Sequence, residues 1–104
     1  MLRGLASAGF NVARQSVMMT GRTDEHEVTA IVHRRAIAES FPGITSVPQC
    51  VDFVERNLEP LCGMVKAKLR VGKMIEFAPN GGETALFVEL TSLDVLRSKR
   101  WMTP

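Results

Sequence analysis

"CGMVKAKLRVGK", Cys62 to Lys73, accepts two periodicities, and each builds a different molecule. Wound at 100° per residue, Cys62, Val65 and Leu69 continue a stripe begun by Leu58 and Leu61, with Glu59, Lys66 and Arg70 on the other side. In that form it looks like the basic recognition helix of a winged-helix DNA reader. Extended, the same residues put Val65, Ala67, Leu69 and Val71 on one face and Lys66, Lys68 and Arg70 on the other. That is a ribbon with a basic face.

The sequence beyond it favours the ribbon. "PNGG", Pro79 to Gly82, is a strong turn signal with about fifteen residues on each side. Folding the two arms together, with one bulge at Gly72, sets Leu69 against Leu93, Ala67 against Val95 and Lys68 against Asp94. Nearer the turn Ile75 faces Leu86 and Met74 faces Phe87. Apolar residues meet apolar ones and opposite charges meet across the ladder. The expectation is an α+β fold, an antiparallel sheet with a long C-terminal β-hairpin, one main helix and an N-terminal helix. The alternative is a winged helix, with helices around 28–40, 47–57 and 58–70 and a short wing at 74–90.

The main helix reads from Ser46, an N-cap residue type with Pro48 in the first turn. Val47, Val51, Val54, Leu58, Leu61 and Val65 recur at helical spacing, and Pro60 is expected to break or kink the run. "HEVTAIVHRR" is short and β-branched and predicts a strand from about Glu27 to Arg34, before the chain breaks at Pro42-Gly43. The first twenty residues wind as an amphipathic helix, with Leu2, Leu5, Ala6, Gly9, Val12, Ala13 and Val17 on one side. A packing helix is the expectation there. An acid-free segment with Arg and Ser also fits a mitochondrial transit peptide, and a strand from Phe10 to Met19 is a third reading.

At 104 residues the chain reads as one small domain, an amphipathic segment at 1–22 and a core at 24–104. A hydrophobic fraction of 45% is too high for a disordered chain, and a net charge of +2 is no global polybasic signal. No apolar run approaches the roughly 18 residues of a membrane span. Cys50 and Cys62 on one helical segment would lie about 18 Å apart, which predicts reduced thiols and an intracellular protein.

Catalytic and metal-binding patterns are not evident. His26 and His33 lack metal-ligand spacing, and "VGK" at 71–73 has neither the upstream glycine nor the following Ser or Thr of a P-loop. Cys62, on the apolar stripe, reads as a buried thiol rather than a nucleophile. Glu55 and Glu59 share a solvated helix face. The expectation is therefore a protein that is not an enzyme and carries no cofactor or metal. The candidate residues for a partner or nucleic acid are Lys66, Lys68, Arg70, Lys73, Arg97, Lys99 and Arg100, the last beside Trp101. A solvated sheet face with a lysine-guarded edge explains the same residues.

Two stretches carry a family resemblance. "ERNLEPLCGMV", Glu55 to Val65, resembles the helix of the small H-NS-inhibiting proteins of T7-like phages, in which acidic, basic, Asp/Asn and Leu/Met positions lead into Leu-Cys and then Val. "MIEFAPNGGETALFVELTS", Met74 to Ser92, resembles that family's hairpin, and "VTA" at Val28–Ala30 its first strand. The matched order covers roughly two-thirds of the chain. The segment before Asp24 has no counterpart, the loop from Ala36 to Ser46 is longer, and Pro60 sits inside the matched helix. The resemblance implies a phage protein, acting in the host bacterial cytoplasm or nucleoid, that binds a host nucleoid-associated protein of the H-NS type and blocks its oligomerisation. Transfer RNA or other nucleic acid is the implied second ligand. No catalytic residue carries over. A nucleic-acid-binding module and a small mitochondrial subunit are the competing readings, and self-association into a homo-oligomer stays open.

Overall fold

A computed structural model describes residues 2–78 and 81–104. These residues form an α+β fold with a five-stranded mixed sheet and four helices. Strands β1 (Leu5–Asn11), β2 (Ser16–Arg22) and β3 (Glu27–His33) form an antiparallel meander. Helices α1 (Arg34–Ser40), α2 (Val47–Arg56) and α3 (Leu58–Arg70) follow, then β4 (Ile75–Phe77), β5 (Ala85–Leu90), α4 (Ser92–Ser98) and a 3-10 turn, Lys99–Trp101. The sheet order is β1-β2-β3-β5-β4, with β3 and β5 parallel.

The stretch Cys62–Lys73 is helical up to Arg70, so the basic ribbon does not form. Leu61 and Val65 are fully buried, with Leu58, Cys62 and Leu69 packed against the core beside them. Lys68 and Arg70 sit in the last turn, where cations complement the helix dipole. Gly72, expected as a bulge, stops the helix. At φ +75° it adopts the left-handed conformation, its N–H bonds to the Leu69 carbonyl and the Lys73 N–H to that of Lys68. These two bonds are the Schellman pattern of a helix end.

Pro60 does not break α3, because it occupies the third position, where an amide hydrogen has no partner within the helix. The break comes earlier, at Asn57, which separates α2 from α3. Asn57 is buried; its side-chain amide donates to the carbonyls of Phe53 and Thr103, and its Oδ1 accepts the Thr103 N–H at 2.7 Å. One side chain thus ends a helix and ties down the C-terminal segment. The Ser46 cap formed as read, with Pro48 in the first turn, and Gln49 completes it as a capping box that the sequence reading does not name. The predicted strand near Glu27 is β3, one residue shorter than expected. Helix α1, absent from the favoured reading, starts where His33 Nδ1 accepts the Arg35 N–H.

The expected N-terminal helix is instead the β1–β2 hairpin. Asn11 Oδ1 accepts the Arg14 N–H across its turn, an Asx-type turn, and Gly9, at φ +89°, lies where the β1 register shifts. Val17 and Met19 pair with Val32 and Ala30 of β3 on the buried face. That non-local pairing outweighs a helical period whose contacts would all have been local.

The C-terminal hairpin is shorter than predicted and shifted by one residue, with Ile75 opposite Phe87 and Phe77 opposite Ala85. Of its predicted turn, Pro79 and Asn80 lie outside the described residues. "LTSLDVLR", expected as the return strand, ends β5 and becomes α4, because Thr91 and Asp94 form a capping box. The winged-helix alternative placed helices at 47–57 and 58–70 correctly, but residues 28–33 are strand and the sheet has five strands.

The helices cover one sheet face. Val17, Met19, Val28, Ala30, Val32, Leu86, Val88 and Leu90 meet Ile37, Phe53, Val54, Leu61, Val65 and Val95 from the helices. On the other face the Arg14 guanidinium lies 5.1 Å from the Phe87 ring centroid.

Two substitutions test this construction. A Cβ at Gly21 would lie 2.2 Å from the Gly4 carbonyl oxygen, so Gly21→Ala forces the backbone entering β1 to shift. It should cost about 1–3 kcal/mol, in the range of overpacked sites, read as a denaturation midpoint. Asn57→Ala removes three hydrogen bonds and should cost about 2–4 kcal/mol at roughly 1 kcal/mol for each bond, more where a group is left unpaired. Hydrogen exchange should then show the Thr103 amide losing protection.

Candidate functional site

Helices α3 and α4 do not close on each other along their outer edges. Small residues of α3 leave the gap: Gly63 and Ala67 are one turn apart and both exposed, so no side chain fills the space above them. The result is a hollow of about 710 Å³ between Pro60, Gly63, Met64 and Ala67 on one side and Ser98 and Trp101 on the other. A second hollow, about 260 Å³, shares Met64, Ala67 and Ser98 with the first and adds Val71, Lys73 and Arg97. Together they form one groove along α3. Pro60 to Val71 spans about 16 Å at ~1.5 Å per residue.

Trp101 stands at the rim, 67% exposed, with the Arg100 guanidinium 4.8 Å from its ring centroid. Val71, 65% exposed, is the apolar residue at the opposite end. The wall in between is fixed by an ion pair, Lys68 Nζ to Asp94 Oδ2 at 2.7 Å, with both side chains largely buried. Asp94 also accepts from the Thr91 N–H and hydroxyl. Burial pushes the Asp94 carboxyl up, but the hydrogen bonds from Lys68 and Thr91 and the Lys68 charge outweigh it and hold the group below its ordinary value.

The structure divides the seven cations singled out in the sequence. Lys68, Lys73 and Arg97 line the groove, and Arg100 sits at its rim on Trp101. Lys66 and Arg70 project from the solvent side of α3 that also carries Glu59, bordering the Gly63 floor rather than lining the groove. The Lys99 ammonium lies 5.5 Å from the centroid of Phe41, whose ring is tilted at 51° against that of Phe53. A continuous basic face is therefore replaced by a cationic end of a groove. Lys68 is neutralised by Asp94, and Arg56, at the other end, pairs with Asp52 and donates to the Pro104 carbonyl. Among the described residues, Lys73 and Arg97 have no ion-pair partner.

Two of the remaining chemistry-bearing residues have structural places. His33 caps α1. Cys50 is buried, and burial raises its thiol against the smaller opposing effect of Arg34. Among the described residues no three His, Cys, Asp or Glu side chains converge, and no helix is long and apolar enough to cross a membrane. What the sequence reading missed was the groove floor. Its signal was Gly63 and Ala67 at i,i+4 beside an apolar stripe, with Trp101 as the single tryptophan.

No family model, no curated protein and no solved structure matches this chain.

The groove wall carries a pH signature. The Asp94 carboxyl is depressed in the folded state, so its contribution to stability is fully present above the unfolded value, about 3.9, and is lost as pH falls through the folded value. Asp94→Asn should therefore be less stable than the parent near neutrality, and the gap should shrink below about pH 4. Urea midpoints at pH 7 and between pH 2 and 4 read this directly; a gap that stays constant contradicts the assignment.

Proposed function

We propose that this chain is a non-enzymatic protein that binds a protein partner through the α3–α4 groove, the partner being a nucleoid-silencing protein of the H-NS type whose oligomerisation it blocks. The observation that carries the binding reading is the groove itself, an open channel with an apolar floor of Pro60, Gly63, Met64 and Ala67, polar walls, and a tryptophan at its rim. Aromatic residues and arginine are the side chains that most often anchor protein interfaces, and Trp101 and Arg100 stand together there.

The partner class rests on the resemblance. Its three matched stretches fall on β3, on the α2–α3 pair and on the β4–β5 hairpin, in the order the family has them. β1 and β2 are additional to that order, and the matched helix is divided at Asn57. A domain that caps one partner in a self-assembling chain can stop its growth at modest affinity when it is abundant. The competing reading is nucleic-acid binding, favoured by Lys73 and Arg97 at one end of the groove.

A tagged pull-down from bacterial lysate, with and without nuclease, separates the two. A nucleoid-associated protein should be retained after nuclease treatment, and purified chain should lower the sedimentation coefficient of that protein's oligomers. Recovery of RNA or DNA alone, released between low and moderate salt, overturns the protein-partner reading, because phosphate contacts release counterions.

A further inference from the structure

We infer that the occupant of the α3–α4 groove is an acidic amphipathic helix of about three turns, seated with its apolar face on Gly63 and Ala67 and its carboxylates toward Lys73 and Arg97. The inference rests on the protein-partner reading and specifies its chemistry. Length comes first. The floor from Pro60 to Val71 runs about 16 Å, which at ~5.4 Å per turn is three turns of a docked helix.

Close approach comes second. Gly63 and Ala67 present almost no side chain, so a helix backbone can lie near the α3 backbone, with Met64 and Trp101 as the walls on which its apolar residues rest. An extended strand would find no partner here, because the backbone hydrogen bonds of α3 are satisfied within the helix, whereas a helix brings its own. Met64 and Trp101 are also the side-chain types that adapt to, and anchor, an apolar helix face.

Charge comes third, and it decides the partner's sign. The buried Lys68–Asp94 pair is neutral as a unit, and Arg56 is matched by Asp52. That leaves Lys73 and Arg97 at the Val71 end, with Arg100 at the rim and Glu59 as the opposing charge at the Pro60 end. A ligand helix rich in carboxylates near Lys73 and Arg97 is attracted; one rich in lysine there is repelled. A polyphosphate chain would meet the same cations but leave the apolar floor uncovered.

The chain's single tryptophan, with no tyrosine, makes occupancy visible as a change in Trp101 emission. The probe is a capped fifteen-residue peptide free of aromatic residues, with leucine and alanine along one helical face and glutamate on its flanks. Saturable blue-shifted emission is expected with this peptide, and at least tenfold weaker binding with its lysine-for-glutamate analogue. Lys73→Glu combined with Arg97→Glu should reverse that preference. Ala67→Arg, on an exposed helix position, should leave the circular dichroism and melting unchanged and abolish the emission shift. Equal binding of poly-glutamate, or of a single-stranded oligonucleotide, overturns the inference, since neither has an apolar helical face. So does an unchanged Trp101 signal with the acidic peptide. If a partner from the pull-down still binds Ala67→Arg as tightly as it binds the parent, the groove assignment falls while the protein-partner reading stands.

Discussion

The parallel pairing of β3 with β5 governs the rest of the molecule. Parallel neighbours cannot be joined by a tight turn, so the chain leaving β3 must cross the sheet before it returns. The crossover carries α1, α2 and α3, and all three lie over one face. Val28, Ala30 and Val32 stand beside Leu86, Val88 and Leu90 in register, and this row is the floor on which the helices rest. β2 and β1 extend the sheet on one side and β4 on the other, both antiparallel and both built from short local connections.

The same constraint explains why α4 ends packed on α1 and facing α3 across the groove. β5 delivers the chain to the end of the central strands, and the capping box at Thr91 and Asp94 starts a helix at once. Asp94 has two tasks. As the third residue of α4 it accepts from Thr91, and as a partly buried anion it receives Lys68 of α3. A carboxylate already held by two hydrogen bonds is well placed to accept a third group, since its orientation is fixed before the lysine arrives. The pair bridges α3 and α4, while α4 packs closely against α1, and the small residues of α3 leave the space between α3 and α4 open as a groove.

Much of this was legible in the sequence, and the part that was not has a common physical cause. Ser46 and Pro48 announced α2, and the β-branched run announced β3, because a cap and a branched strand are local signals. Lys68 and Asp94 were matched correctly as partners, yet through a ladder that does not exist; opposite charges report proximity and say nothing of backbone period. Residues 62–73 alternate as well as they wind, so their period is set by residues at and beyond their end. The deciding residues were Gly72 and Thr91: one ends a helix in the left-handed conformation, the other begins one with Asp94 three positions on. Read as a bulge and as a strand residue, they supported a ribbon. At the N-terminus the failure has the opposite direction, since Val17 and Met19 are extended only because β3 lies beside them. The groove was hidden for a third reason. Gly63 and Ala67 matter through the space they leave, and a sequence displays side chains, not their absence.

That distinction bears on how the groove is maintained. An exposed glycine in a helix interior costs about 1 kcal/mol relative to alanine, so Gly63 weakens α3. The loss is offset by neighbours that do not need it: Leu61 and Val65 in the core on one side, the Lys68–Asp94 pair on another, and the Schellman end at Gly72. Stability therefore comes from the sheet-facing stripe of α3 and the ion pair at the groove wall, and access from the small residues beside them. The face turned to the sheet holds α3 in place, and the face turned to α4 is free to stay shallow. A larger residue at 63 would strengthen the helix and fill the channel at the same time, so the floor of the groove is the one part of α3 where better folding and an open surface pull in opposite directions.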